Sequence, residues 1–480
     1  MPPRQGWGSD ASHLWVPRAE DGPPVPCCGE TEWAVPSKKC LERTNSTAIR
    51  QGSDARRPVV FNSGLLWGDA MSHPSCSQEA STGDRSASAL GGRLHGLDLL
   101  RGVAMTLGVV LHASIPFTRV DAPWVFQVET SNPAYDLSFV AIHGFRMPLF
   151  FLLAGFFAHF QQERLGPTPF LLQRLLRIGL PFVVGMVTLV PWMLSMALKD
   201  PTLLFAFLRE HDIPVNEGKP TLASIRYLPT YHLWFLEVLL ICYVLAWMQP
   251  ASKSGSTSRT TGGPTVLARG IRAVWPISLL VFPTAACFRG ARLGEGVPFL
   301  DYATVVLEPS ILVFSLGFFV VGWRLFGDPE ARRELLQRHG AFLIIGIVAL
   351  LILLGLRWHI LGKGMRATGL EEGVGLVAEG MVAWFLTLGL FAWGLHGVGR
   401  PIWWARHFAD ASYWIYLIHL PLLFWLQIYT RTWPIPDAVK FFLWVGVVTA
   451  MGLLSYHFLV RRTWIGWVLN GHRARASHQA

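Results

Sequence analysis

Residues 97–116 read LDLLRGVAMTLGVVLHASIP. A helix of that length, almost wholly apolar, extends about 30 Å and crosses the hydrocarbon core of a bilayer. Three ionisable side chains interrupt it: Asp98 and Arg101 near one end and His112 near the other. Charge inside an apolar span is costly and by default marks function. Arg101 and His112 are 11 residues apart, about three turns, so both leave one face of the helix, about 16 Å apart along its axis. A face of that kind suits a protein that holds a long molecule along the helix.

The rest of the chain agrees with a membrane setting. Its 480 residues are 51% apolar and only 15% charged, with 21 Trp and 30 Phe, and the mean hydropathy is +0.37. A soluble domain does not hide so much apolar mass; the composition predicts an all-α, polytopic integral membrane protein enclosing a polar cavity. The net charge of +10 does not point to nucleic acid. Arg and Lys fall mainly in the short gaps between apolar runs, where they set topology, so the expected surroundings are membrane lipids. Among the six cysteines, Cys27 and Cys28 are adjacent, Cys40 and Cys76 lie in a polar region, and Cys242 and Cys287 lie in apolar runs. That spacing predicts neither a metal site nor a disulfide framework.

Outward from the opening span, residues 1–90 are rich in Gly, Pro, Ser and charge and lack periodicity, which predicts a disordered or loosely folded cytoplasmic tail. It lacks the basic-then-apolar opening of a signal peptide, so the first span is expected to act as the targeting signal. A membrane domain follows at 91–465, then a basic cytoplasmic tail at 466–480. Ten apolar segments lie near 97–116, 137–160, 171–197, 231–249, 271–288, 305–326, 341–359, 377–397, 410–429 and 440–460. Basic residues favour alternate gaps: Arg164, Arg174 and Arg177; Lys253, Arg259 and Arg269; Arg324, Arg332, Arg333 and Arg338; Arg400 and Arg406; Arg461, Arg462, Arg473 and Arg475. This bias places both termini in the cytoplasm, in keeping with an even number of spans.

Several groups could carry chemistry. Segment two places His143 and Arg146 in its outer half. A buried guanidinium needs an anion, a polar network or water; a clamp to a carboxylate such as Glu237 and contact with a substrate are both open. Arg174 and Arg177 are three residues apart at the inner mouth of segment three and share a helix face. Alone they are ordinary positive-inside residues; opposite Arg101 they form a cradle for a polyphosphate, because Arg forks fit phosphate oxygens. Tyr231, His232 and Trp234 suit an outer interface belt, with Glu237 deeper. Tyr416 and His419 share a face of segment nine, either completing interhelical hydrogen bonds or lining the cavity. There is no serine elbow, H-E-x-x-H, Walker loop or dinucleotide fingerprint. His112 is left as the acid/base candidate, with an ordinary pKa near neutrality.

These blocks resemble a known family. The opening stretch, with Arg101 and His112 in an R-x10-H pattern, is similar to the first span of the membrane acyltransferase-3 family. FRMPLFFLLAGFF at 145–157, the R-x-x-R of Arg174 and Arg177, HLWFLEVLL at 232–240 and SYWIYLIHLP at 412–421 follow in the expected order, and the likeness covers roughly residues 93–465. One departure is visible: Ala154 stands where many relatives carry Ser, so a hydroxyl there is not essential to this chain.

The resemblance implies a ten-helix O-acyltransferase of the bacterial cytoplasmic membrane. It would take an acyl group from a cytosolic acyl-CoA, with no tightly bound cofactor, and pass it to a hydroxyl of a sugar or glycan at the extracytoplasmic side. His112 would activate that hydroxyl, and Arg101, Arg174 and Arg177 would hold the CoA phosphates. The similarity is greatest to the branch that modifies glucans, which implies a succinyl group. Asp98, His143, Arg146, Glu237, Tyr416 and His419 remain candidates for the cavity or substrate. Two other classes stay open from the residues themselves. A transporter or flippase would show helices broken near midplane, for which Pro148, Pro181, Pro191, Pro309 and Pro421 are candidates; a non-catalytic scaffold would tolerate loss of Arg101 and His112.

Overall fold

The computed structural model describes residues 94–119, 124, 128, 132–197, 229–249, 265–288, 307, 309–363, 367–397 and 403–470. The tail expected at 1–90, most of the 198–230 gap, residues 471–480 and four of the six cysteines lie outside them. Within them the fold is helical, with apolar helices at each of the ten segments read from the sequence.

Eight are long and apolar enough to cross a membrane. They are α1 (Leu94–Ser114), α2 (Pro133–Leu165), α3 (Pro167–Met196), α6 (Pro309–Gly327), α7 (Pro329–Lys363), α8 (Gly369–His396), α9 (Trp403–Thr430) and α10 (Asp437–Val460). Between α3 and α6 the expectation of two more plain spans is corrected. Segment four forms a 3-10 turn, Tyr231–Leu233, and a 14-residue helix, α4 (Trp234–Trp247). That is about 21 Å of helix, short of the hydrocarbon thickness. Segment five breaks into the bent pair α5, Val266–Ala273 and Pro276–Cys287, which meet at 101°. Val274 at the break has φ +64°, a conformation a β-branched residue rarely adopts. Pro276 supplies no amide hydrogen for continuing the first half as a helix. By contrast, α2, α3 and α9 run through Pro148, Pro191 and Pro421 without a break.

Local chemistry fixes the ends. Asn132 caps α2 by accepting from the Ala134 amide at 2.9 Å, and Pro133 occupies the first turn, where its missing N–H costs nothing. Thr368 and Glu371 close a capping box at the start of α8.

Burial separates an inner from an outer set. Two-thirds of the apolar window is buried in α8 and α9 (67% each), against 22% in α3, α7 and α10. Exposed side chains such as Val187, Leu351 and Phe458 on that outer set are solvated by lipid tails as readily as by protein. The tightest inner contact is between α2 and α6. A Cβ added at Gly155 would lie 1.9 Å from the Phe319 carbonyl oxygen, and one at Gly322 would lie 2.0 Å from that of Leu152. The two glycines let the backbones touch, as small residues do at membrane helix interfaces.

α1 and α9 form the frame of the site. Gly102 lies against Ala409, where an added Cβ would be 3.4 Å from the Ala409 nitrogen. Further along, the His112 and His419 rings are 5.3 Å apart. Ten residues on each helix separate these two contacts, so α1 and α9 run parallel and in step for about 15 Å.

Candidate active site

At the far end of this frame, side chains from four elements converge. His112 comes from α1, Arg146 from α2, His232 from the 3-10 turn before α4, and Tyr416 and His419 from α9. The neighbours acting electrostatically on His112 are His419, Arg146, His232 and His143. His419 lies 5.2 Å from His232, ring to ring. Arg146, His232 and His419 are 6%, 6% and 2% exposed, whereas His112 keeps accessible surface. The imidazole of α1 therefore lies among buried polar groups.

The hydrogen bonds fix what two of the imidazoles can offer. His419 Nδ1 lies 2.6 Å from the Tyr416 carbonyl oxygen and His232 Nε2 lies 3.1 Å from that of Leu417. A carbonyl only accepts, so each of these nitrogens carries a hydrogen, and in the neutral ring the other nitrogen presents a lone pair. Those others, His419 Nε2 and His232 Nδ1, are buried with no partner. The Tyr416 hydroxyl donates to the His232 carbonyl at 2.6 Å, locking the turn onto α9. The cluster thus holds two acceptors fixed by the backbone, a third imidazole whose Nδ1 is also buried and unpartnered, and a cation. Such a set can take hydroxyl donors on one side and negative charge on the other.

Trp124 closes the recess. Its ring stacks on His112 at 5.8 Å with an interplanar angle of 2°, and its Nε1 donates to Gln427 Oε1 of α9 at 3.0 Å. Arg146 is held differently. It makes no hydrogen bond or ion pair with another described residue, and its guanidinium carbon lies 6.0 Å from the Phe150 ring centroid. The clamp to Glu237, one of the two open readings, does not form: no ion pair joins the two, and Glu237 Oε2 is itself buried without a partner. His143 lies on the same helix, stacked on Phe139 at 5.4 Å.

The basic groups gather at the other end of the α1–α9 frame. Arg101 pairs with Asp98 at 3.2 Å and donates to the Ala409 carbonyl at 3.3 Å, and both side chains stay about 40% exposed. One turn on from Ala409, the Tyr413 hydroxyl donates to the Arg177 carbonyl at 2.8 Å. Arg177 sits in a π-type turn, Leu175–Gly179, which shifts it out of simple helical phase with Arg174. Arg174 is enclosed: it is 8% exposed, donates to Gln161 and lies over the Tyr243 and Phe170 rings at 4.9 and 5.5 Å. Arg101 and Arg177 are therefore both tied to one face of α9, with Arg174 packed behind. No group of His, Cys, Asp and Glu able to hold a metal ion occurs among the described residues.

Residues 94–457 match the acyltransferase domain of the acyltransferase-3 family. The chain belongs to this family. Curated relatives include the glucans biosynthesis protein C of Salmonella paratyphi A, of Salmonella agona (strain SL483) and of Salmonella heidelberg (strain SL476). Each is 23% identical over 397 residues, covering 78% of this chain and 94% of the relative. No solved structure matches. The chain is a membrane O-acyltransferase, and the transporter and scaffold readings give way to an enzyme.

In this acyltransferase the sequence reading brought together His112, Arg146, Tyr416 and His419, and left out three partners. His232 is not at an interface but buried against His419, because α9 supplies carbonyl and ring contacts that no local pattern displays. Trp124 lies between helices, where periodicity says nothing. Gly108 carries no signal in the sequence; an added Cβ there would lie 2.6 Å from an Arg146 guanidinium nitrogen.

Proposed function

We propose that this acyltransferase transfers an acyl group from a cytosolic acyl-CoA to a hydroxyl of a sugar or glycan on the extracytoplasmic side of a bacterial inner membrane. In this reading both termini lie in the cytoplasm. CoA is a substrate, bound with its phosphates toward Arg101 and Arg177, backed by Arg174, and its pantetheine arm along the α1–α9 frame. A glucan acceptor follows from the name of the relatives, and a succinyl donor from the branch of the family that the chain resembles.

The observation that supports this reading is the surroundings of His112: the imidazole on the family's R-x10-H face lies beside Trp124, His419, His232 and Arg146. His112 takes the proton of the acceptor hydroxyl as its oxygen attacks the thioester carbonyl. The carbonyl electron pair moves onto oxygen, then returns as the C–S bond breaks. The departing thiolate takes the proton back from His112, leaving an ester and free CoA. The lone pairs of His419 and His232 are placed to orient the acceptor's hydroxyls.

The test is release of free CoA by purified protein given succinyl-CoA and a glucan. His112→Ala and His112→Gln are expected to lower kcat by about 10²- to 10⁴-fold, the usual contribution of a general base. Near-normal turnover in either variant, correctly folded, rejects His112 as the base. Mass spectrometry of surface glycans from deletion and complemented cells tests the acceptor: an unchanged glycan profile beside a changed lipid or peptide profile overturns it.

A further inference from the structure

The acyl transfer proposed above creates an oxyanion, and something must stabilise it. We infer that Arg146 holds this oxyanion, and that Gly108 is the residue that admits the guanidinium to the site; the inference rests on that proposed reaction.

Three observations point the same way. Arg146 is a buried cation without a hydrogen-bond or ion-pair partner among the described residues. It is 6% exposed, it forms no ion pair, its Nε is covered and unpartnered, and the neighbouring Tyr416 hydroxyl is committed to the His232 carbonyl. A protein does not bury an unpaired guanidinium for packing alone, because its desolvation goes uncompensated until an anion arrives. Second, the guanidinium lies on α1 itself. A Cβ at Gly108 would be 2.6 Å from one terminal nitrogen, 2.8 Å from Cζ and 3.2 Å from Nε. One edge of the guanidinium is thus seated over the glycine. Third, Gly108 precedes His112 by four residues, one turn on the same face. Helical side chains lean toward the N-terminus, so the His112 ring tilts back over the turn where the fork sits.

A carbonyl carbon attacked by an oxygen held at His112 therefore develops its negative charge toward Arg146. The fork donates N–H groups to the oxyanion while the charge exists and keeps its protons throughout; the electron pair returns to the carbonyl when the thiolate leaves. Donors aimed where charge develops, in a site shielded from water, are among the largest contributors to acyl-transfer rates.

The experiment measures kcat and KM of Arg146→Ala, Arg146→Lys, Gly108→Ala and His112→Ala, with acetyl-CoA and succinyl-CoA as donors and a glucan as acceptor. Arg146→Ala is expected to lose about 10²- to 10³-fold in kcat with either donor, with little change in KM. Arg146→Lys keeps the charge but loses the fork and should fall in between. Gly108→Ala guards against a folding artefact. Its Cβ meets only the far end of a flexible side chain, so the helix stays and the guanidinium moves; kcat should fall by at least about tenfold while the unfolding temperature stays at the wild-type value. Added guanidinium ion should restore Arg146→Ala and not Gly108→Ala.

Full kcat in Arg146→Ala or in Gly108→Ala overturns the inference. So does a defect confined to a raised KM for succinyl-CoA, which would make Arg146 a reader of the acyl carboxylate. Loss in His112→Ala with both other sites silent would sink this inference alone. Turnover retained in His112→Ala would sink the general base, and no turnover by wild type with either donor would sink both readings.

Discussion

Trp124 is the group whose removal tests the architecture of the recess most directly. Trp124→Phe keeps an aromatic ring beside His112 but deletes the Nε1 hydrogen that Gln427 Oε1 accepts at 3.0 Å. Trp124 is 8% exposed and Gln427 0% exposed, and Gln427 Nε2 already lacks a partner. The variant therefore strands an entire buried amide. A neutral hydrogen bond contributes about 1 kcal/mol net, and an orphaned buried acceptor costs about 1–3 kcal/mol more. The expected destabilisation is about 2–4 kcal/mol from these terms. Gln427→Leu removes the amide from the other side and leaves the indole N–H orphaned, at a similar cost. With both changes nothing polar is left to satisfy, so Trp124→Phe/Gln427→Leu should lie within about 1 kcal/mol of wild type. The measurement is a double-mutant cycle on unfolding in detergent, each variant also assayed for CoA release. The expected coupling energy is about 3 kcal/mol or more, at the top of the range for residues in contact. Additive single effects, or a Trp124→Phe protein as stable as wild type, would refute the idea that this hydrogen bond closes the site.

Two further outcomes follow from the geometry. Arg101→Ala and Arg177→Ala should raise the KM for acyl-CoA about tenfold, roughly one charge-assisted hydrogen bond, whereas Arg174→Ala, boxed in by Gln161, Phe170 and Tyr243, should act on stability; steady-state kinetics beside thermal unfolding separate the two. Gly155→Val should force α2 and α6 apart, because the intruding Cβ meets the Phe319 carbonyl rather than a movable side chain. A loss of about 1–3 kcal/mol or more is expected, read as folded yield and unfolding temperature.

Much of this was legible in the chain itself. Periodicity and hydropathy located every apolar segment, and the R-x10-H interval placed Arg101 and His112 on one face of α1. What escaped had particular causes. The length of α4 is set by where the 3-10 turn at Tyr231–Leu233 ends, which depends on Tyr416 gripping the His232 carbonyl from another helix. The break in α5 follows from Val274 at φ +64°; Pro276 was its one local signal, and elsewhere Pro148, Pro191 and Pro421 sit inside continuous helices. Arg174 still acts electrostatically on Arg177, but the π-type turn and the contacts of Arg174 with Gln161, Phe170 and Tyr243 give the two different surroundings, which i, i+3 spacing alone does not reveal. Arg146 and Gly108 belong to different helices, so only tertiary structure reveals that one is seated on the other.

The parallel course of α1 and α9 has a mechanical consequence. The two are fastened at two points ten residues apart, at Gly102 with Ala409 and at His112 with His419, like the stiles of a ladder held by two fixed rungs. Sliding one by a single residue would rotate its side chains by about 100° and undo both fastenings at once. The pair therefore behaves as a rigid gauge that sets the span from phosphate cradle to base. Widening the chamber for a bulky acceptor falls to the parts that lean on the gauge from the side: α2, the 231–233 turn and the Trp124 shutter.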